Sequence, residues 1–93
     1  MSATASARVK IQNRLGLHAR PAMMFVEEAT RFGADVRVRR TDHGEEVDGK
    51  SIMQMMVLAA TKDTEIEVTA AGTDAQDAVD ALVALVNSRF NEE

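Results

Sequence analysis

The sequence predicts an α+β fold, a four-stranded antiparallel sheet carrying three helices on one face in the order β-α-β-β-α-β-α. Three observations lead there. Four segments alternate apolar and polar residues, the period of a strand with one face on a core and the other in water. Three others repeat apolar residues every three or four positions, the spacing of a helix with one buried stripe. All three helices need burial while each strand has one apolar face, so a single sheet with every helix on the same side satisfies both demands. At 93 residues the chain supports one domain, 1–93, with a modest core.

Taken in order, the first six or seven residues are small and polar and are expected to fray. Ala7-Arg8-Val9-Lys10-Ile11 alternates and reads as the first strand, followed by a short loop from Asn13 to Gly16. From Ala19 onward Ala22, Phe25, Val26, Ala29 and Phe32 keep helical spacing, and Gly33 is expected to stop that helix. Ala34 to Arg39 alternates again as a second strand. Asp42-His43-Gly44 has turn composition, and Glu46-Val47-Asp48 is long enough to pair back as a short third strand. Ser51 with Gln54 three residues later matches a capping box, which starts a short helix at Ser51. Lys62-Asp63 makes a turn, and Thr64 to Ala70 is a strand with Ile66, Val68 and Ala70 on one face. Thr73 with Gln76 suggests a second capping box before a long last helix, whose stripe is Ala75, Val79, Leu82, Val86 and Phe90. Asp74, Asp77 and Asp80 complement the dipole of its N-terminal half.

Composition narrows the chemistry. The chain has no cysteine, which removes disulfides and thiol catalysis, and its two histidines are too far from each other and from carboxylate clusters to suggest a metal centre. Eleven basic against fifteen acidic residues give a net charge of −4, which disfavours nucleic acid and anionic lipid as partners. The start has neither the basic nor the apolar region of a secretion signal, and no apolar run approaches the roughly 18 residues that span a bilayer. A cytoplasmic protein without membrane insertion is expected. The methionines between Met23 and Met56 need no cofactor to explain them, since Met fills irregular core gaps and adapts at contact surfaces.

One stretch asks for a chemical reading: Gly16-Leu17-His18-Ala19-Arg20-Pro21-Ala22, where a histidine and an arginine stand at the mouth of an otherwise buried helix. The first backbone N–H groups of a helix lack intrahelical acceptors and carry the positive end of its dipole, so a phosphoryl group can rest there without a metal. Pro21 suits the first turn, because its missing N–H breaks no internal bond. Arg20 offers a fork of donors to phosphate oxygens, and a neutral imidazole on His18 is a nucleophile near neutral pH. The same signals also mark ordinary helix starts, with His18 structural and Arg20 a solvated charge, so the residues permit a phosphate site without demanding one.

That heptapeptide resembles the active-site signature of HPr, the histidine-containing phosphocarrier family of the bacterial phosphoenolpyruvate-dependent phosphotransferase system. The resemblance continues at Gly49-Lys50-Ser51-Ile52-Met53, where the family has its regulatory serine, and runs from about Ala7 to Phe90. It implies the open-faced β-sandwich of that family and a relay protein without a cofactor, phosphorylated in transit rather than turning over a small substrate. His18 would take the phosphoryl group on Nδ1 from phospho-enzyme I and pass it to an EIIA-type protein. Arg20 and the backbone amides of Ala19 and Arg20 would hold the phosphoryl oxygens. Leu17, Ala22, Ile52, Met53 and Met56 would form the docking patch, with Ile52 and Met53 more exposed and Met55 and Leu58 more buried. A monomer is expected, because large partners must reach the site.

The resemblance also implies that Ser51 is a target of HPr kinase/phosphorylase, although as an N-cap it needs no regulatory role. Gln54 departs from the glycine common in serine-regulated members, and Ala84 to Phe90 followed by acids resembles the nitrogen-related branch, NPr. Gly49-Lys50-Ser51 leans the other way. The alternative function is a regulatory adaptor controlled at Ser51 that binds a transcription factor or enzyme without relaying phosphate. His43, in the expected hairpin turn, is read as solvated.

Overall fold

The computed structural model describes residues 3–42, 45–58 and 60–92. The elements are β1 (Thr4–Lys10), α1 (Ala19–Thr30), β2 (Asp35–Arg40), β3 (Glu46–Asp48), α2 (Ile52–Val57), β4 (Glu65–Ala71) and α3 (Ala75–Asn87), then a short 3₁₀ turn at Arg89–Asn91. Their order is the one read from the periodicities. The strands lie in the order β1-β4-β2-β3 with every neighbour antiparallel, and the three helices share one face. His43, and with it the middle of the expected hairpin turn, lies outside the described residues.

The face under the helices is apolar. Val36 and Val38 on β2, Ile66, Val68 and Ala70 on β4, and Val9 and Ile11 at the end of β1 are buried against Phe25 and Ala29 of α1, Met55 of α2 and Leu82 and Val86 of α3. The opposite face carries charge. Glu67 stands across from Arg8 on one side and Arg39 on the other, and it pairs with both, at 3.7 Å and 2.8 Å. Directly opposed unlike charges contribute a few tenths to about 1 kcal/mol each. Among the described residues no helix is long and apolar enough to cross a membrane.

Four local expectations are corrected. First, β1 starts at Thr4, not at Ala7, because Thr4, Ala5 and Ser6 pair with Ala71, Ala70 and Thr69 of the longer β4. Second, Gly33 is no left-handed cap: α1 ends at Thr30, with the Arg31 and Phe32 N–H groups donating to the Glu28 and Ala29 carbonyls in a tightened last turn. Third, the Thr73–Gln76 capping box does not form. The Asp74 carboxylate is drawn away to accept from the N–H groups of Gly33 and Ala34, each at 2.9 Å, and so fastens the turn between α1 and β2 to the start of α3. Fourth, the capping box at Ser51 forms by half: Ser51 Oγ accepts from Gln54 N–H at 3.2 Å, while Gln54 Oε1 accepts from Asp48 N–H.

The last helix ends at Asn87, yet Phe90 completes its stripe and is fully buried. It gets there through a left-handed turn in which Arg89, Phe90 and Asn91 have φ of 59°, 54° and 57°. None is glycine, and the left-handed region costs a side-chain-bearing residue roughly 1–2 kcal/mol. Burial of the ring, about 1.5–3 kcal/mol, works against that cost together with bonds from Asn91 N–H to Ser88 O and Glu92 N–H to Arg89 O. Phe90→Ala is therefore expected to lower unfolding stability by about 3–5 kcal/mol in a urea titration. A loss under about 1 kcal/mol would mean that the turn is not held by the ring.

Candidate functional site

The loop before α1 is fixed by its backbone. Leu17 N–H donates to Ala60 O at 2.9 Å and Gly16 N–H to Asn13 O at 3.1 Å. Gly16 has φ +69°, and a Cβ there would come within 2.6 Å of Ala60 O, so only glycine fits between the loop and the end of the α2 segment. Asn13 is wholly buried and its Nδ2 donates to Gly16 O at 2.7 Å. His18 follows as the N-cap of α1 in an extended conformation, φ −76° and ψ −172°.

At the helix mouth the first intrahelical bond runs from Ala22 N–H to His18 O, 3.0 Å. Pro21 has no N–H, and the N–H groups of Ala19 and Arg20 find no acceptor among the described residues. The His18 side chain makes no capping bond at this terminus, and its first turn has no acidic residue. The N–H groups at the positive end of α1 are thus left without hydrogen-bond acceptors beside the imidazole, an arrangement suited to an anion. Ala19 and Arg20 are exposed, and the His18 side chain is 37% exposed. The Arg20 charge reaches Glu92 electrostatically.

Glu92 was not anticipated. Its Oε1 lies 3.1 Å from His18 Nε2 and 2.9 Å from Asn13 Nδ2. The Asn13 amide, and after it the His18 ring, hold the Glu92 carboxyl below the usual glutamate value of about 4.5. Nothing local in the sequence links a glutamate to a histidine 74 positions earlier. Only the buried Asn13, a polar residue next to the alternation of β1, offered a hint.

The expected docking residues divide. Ile52, Met53 and Met56 are exposed, Met53 at 79%, and Val57 joins them at 78%. Met55 and Leu58 are buried, as expected. Leu17 and Ala22 are buried too, which corrects their assignment to an exposed patch: Leu17 is pulled in by its bond to Ala60 O, and Ala22 lies on the core side of α1. Leu15 and Met23 are the exposed apolar residues near the mouth of α1. A shallow groove between β3 and α2 is lined by Glu45, Glu46, Val47, Met53, Gln54 and Val57. Ser51 is half-buried at the start of α2.

Comparison with known proteins agrees with this geometry. The family described as PTS HPr component phosphorylation site matches residues 5–88. The chain is similar to the phosphocarrier protein HPr of Pseudomonas aeruginosa, 48% identical over 90% of this chain and 92% of that protein. It is also similar to the phosphocarrier protein NPr of Escherichia coli K12, 40% identical over 97% and 99%. The crystal structure of HPr-C-His from Thermoanaerobacter tengcongensis superposes with a TM-score of 0.89 at 37% identity, covering 96% of this chain and 98% of that one.

Because the folded state favours ionised Glu92, the stabilisation from its contacts is complete above the unfolded glutamate range and is lost as pH falls through the lowered folded value. The Glu92 carboxyl carbon, followed by NMR, should titrate below about 4.5, and Asn13→Ala should move the midpoint upward. A midpoint at or above 4.5 in the unsubstituted protein would contradict the contact.

Proposed function

The chain belongs to the HPr family of phosphocarrier proteins of the phosphotransferase system, and we propose that within it His18 is the phosphoryl acceptor, taking the group on Nδ1 from phospho-enzyme I and passing it to an EIIA-type protein. The observation that carries this reading is the uncapped mouth of α1: a half-exposed imidazole beside two free backbone N–H groups. Phosphoryl transfer is chiefly positioning and charge stabilisation, so a small site suffices once a partner aligns the second histidine. Arg20, exposed and close enough to act on Glu92, supplies mobile donors to the phosphoryl oxygens. The protein acts as a phosphorylated intermediate in which the partner provides the other half of the reaction centre.

Docking falls to Ile52, Met53, Met56 and Val57, an exposed apolar strip on a helix packed against α1. Leu17, whose N–H bonds Ala60 O just past α2, and Ala22 lie buried in the core beneath these helices. Ser51 precedes that strip, and its Oγ accepts from Gln54 N–H. Phosphorylation of Ser51 by a kinase of the HPr kinase/phosphorylase type would replace the cap and add about two negative charges beside the apolar surface, weakening enzyme I docking.

Intact mass after incubation with phosphoenolpyruvate and enzyme I tests the relay. One added phosphoryl group, lost on mild acid treatment and absent in His18→Ala, is the expected result. No gain with an enzyme I from the same organism would overturn it. Met53→Asp is expected to raise the KM of the transfer about tenfold, the equivalent of about 1.4 kcal/mol of docking, with unfolding stability unchanged. An unchanged KM would remove Met53 from the docking surface.

A further inference from the structure

Glu92 is the one carboxylate in contact with the reacting ring among the described residues. One oxygen of that carboxylate sits between His18 Nε2 and Asn13 Nδ2, and the amide is immobile because Asn13 is fully buried and also bonded to Gly16 O. An ionised carboxylate only accepts hydrogen bonds, so the hydrogen of the 3.1 Å contact belongs to Nε2. A neutral imidazole holding its proton on Nε2 has its lone pair on Nδ1. The carboxylate follows directly on the left-handed turn Arg89–Phe90–Asn91 after α3, and sparsely populated non-glycine conformations of this kind, here at Arg89 and Phe90, cluster at functional sites.

We infer that Glu92 is a positioning residue for phosphoryl transfer at His18: its carboxylate holds the ring as the Nε2–H tautomer, leaves the Nδ1 lone pair to attack phosphorus, and stabilises the positive charge that gathers on the ring. This rests on the relay reading above. In the step, the Nδ1 lone pair forms the new N–P bond while the N–P bond of the donor phosphohistidine breaks and its electron pair returns to the donor nitrogen. The Nε2 proton stays in place. With the donor ring protonated at its other nitrogen, the positive charge passes from the donor ring to that of His18, where Glu92 faces it. A carboxylate serves the histidine of a hydrolytic triad in the same way, by orienting the ring and opposing the charge that forms on it.

Two substitutions separate the orienting and charge effects. Glu92→Gln keeps a carbonyl that accepts from Nε2–H but loses the charge, and Glu92→Ala loses both. In ¹⁵N-labelled protein without any donor, the ring of the unsubstituted protein and of Glu92→Gln should read as Nε2–H, while Glu92→Ala drifts toward the mixture of tautomers found in solution. With phosphoenolpyruvate and enzyme I, both variants should accept the phosphoryl group about tenfold more slowly in kcat, with KM unchanged because Glu92 lies outside the docking strip. Ring signals and kcat equal to the unsubstituted protein in both variants would overturn this role while leaving the relay standing. Loss of rate through KM alone would also overturn it. An unsubstituted protein that takes no phosphoryl group at all would overturn the relay and this role together, a result told apart from failure of Glu92 alone by that control.

Discussion

Along β4, Ile66, Val68 and Ala70 turn to one side of the sheet and Glu65 and Glu67 to the other, and β4 pairs with both β1 and β2. That division of one central strand governs the molecule. A charged ladder of Arg8, Glu67 and Arg39 makes one face unfit to receive a helix, since covering it would strand paired charges away from water. All three helices therefore crowd onto the other face. The crowding packs α1 against both α2 and α3, and with them the loops that precede and follow these helices.

The site is a product of those junctions more than of any pocket. The mouth of α1 is set by a loop bonded to Ala60, just past α2, while the turn that leads from the same helix into β2 is tied to the start of α3 through Asp74. The segment after α3 then returns to the mouth of α1 and brings Glu92 to His18. The residues flanking three helix ends are thus bonded to segments distant in sequence. His18 stands where those arrangements leave N–H groups over.

What could be read from the sequence follows the reach of each signal. Ile66, Val68 and Ala70 or Phe25, Val26 and Ala29 declare their face by local period, and their burial agrees. The heptapeptide around His18 and the Ser51 cap are contiguous, so motif and element could be read together. Asp74 read as a charge complementing the dipole of the last helix, a local role, whereas the partners of its carboxylate, Gly33 and Ala34, lie 41 and 40 positions away. Glu92 was illegible for the same reason, and Phe90 was rightly put in the core but on a helix that had already ended. Leu17 and Ala22 show another limit: at the edge of an apolar stripe, periodicity does not tell a surface residue from a buried one, and one hydrogen bond to Ala60 settles Leu17.

The N–H groups of Ala19 and Arg20, without an acceptor among the described residues, belong to the main chain. A change of side chain at either position leaves its N–H in place, unless the newcomer is proline. These main-chain donors at the mouth of α1 are thus sheltered from most sequence drift at their own positions and vulnerable at one that supplies none of them, Gly16, where any Cβ would meet Ala60 O and reset the loop. Over many generations such a chain can keep two backbone donors through changes of the side chains beside them, yet lose their placement through a single change at a glycine that donates nothing to the helix mouth.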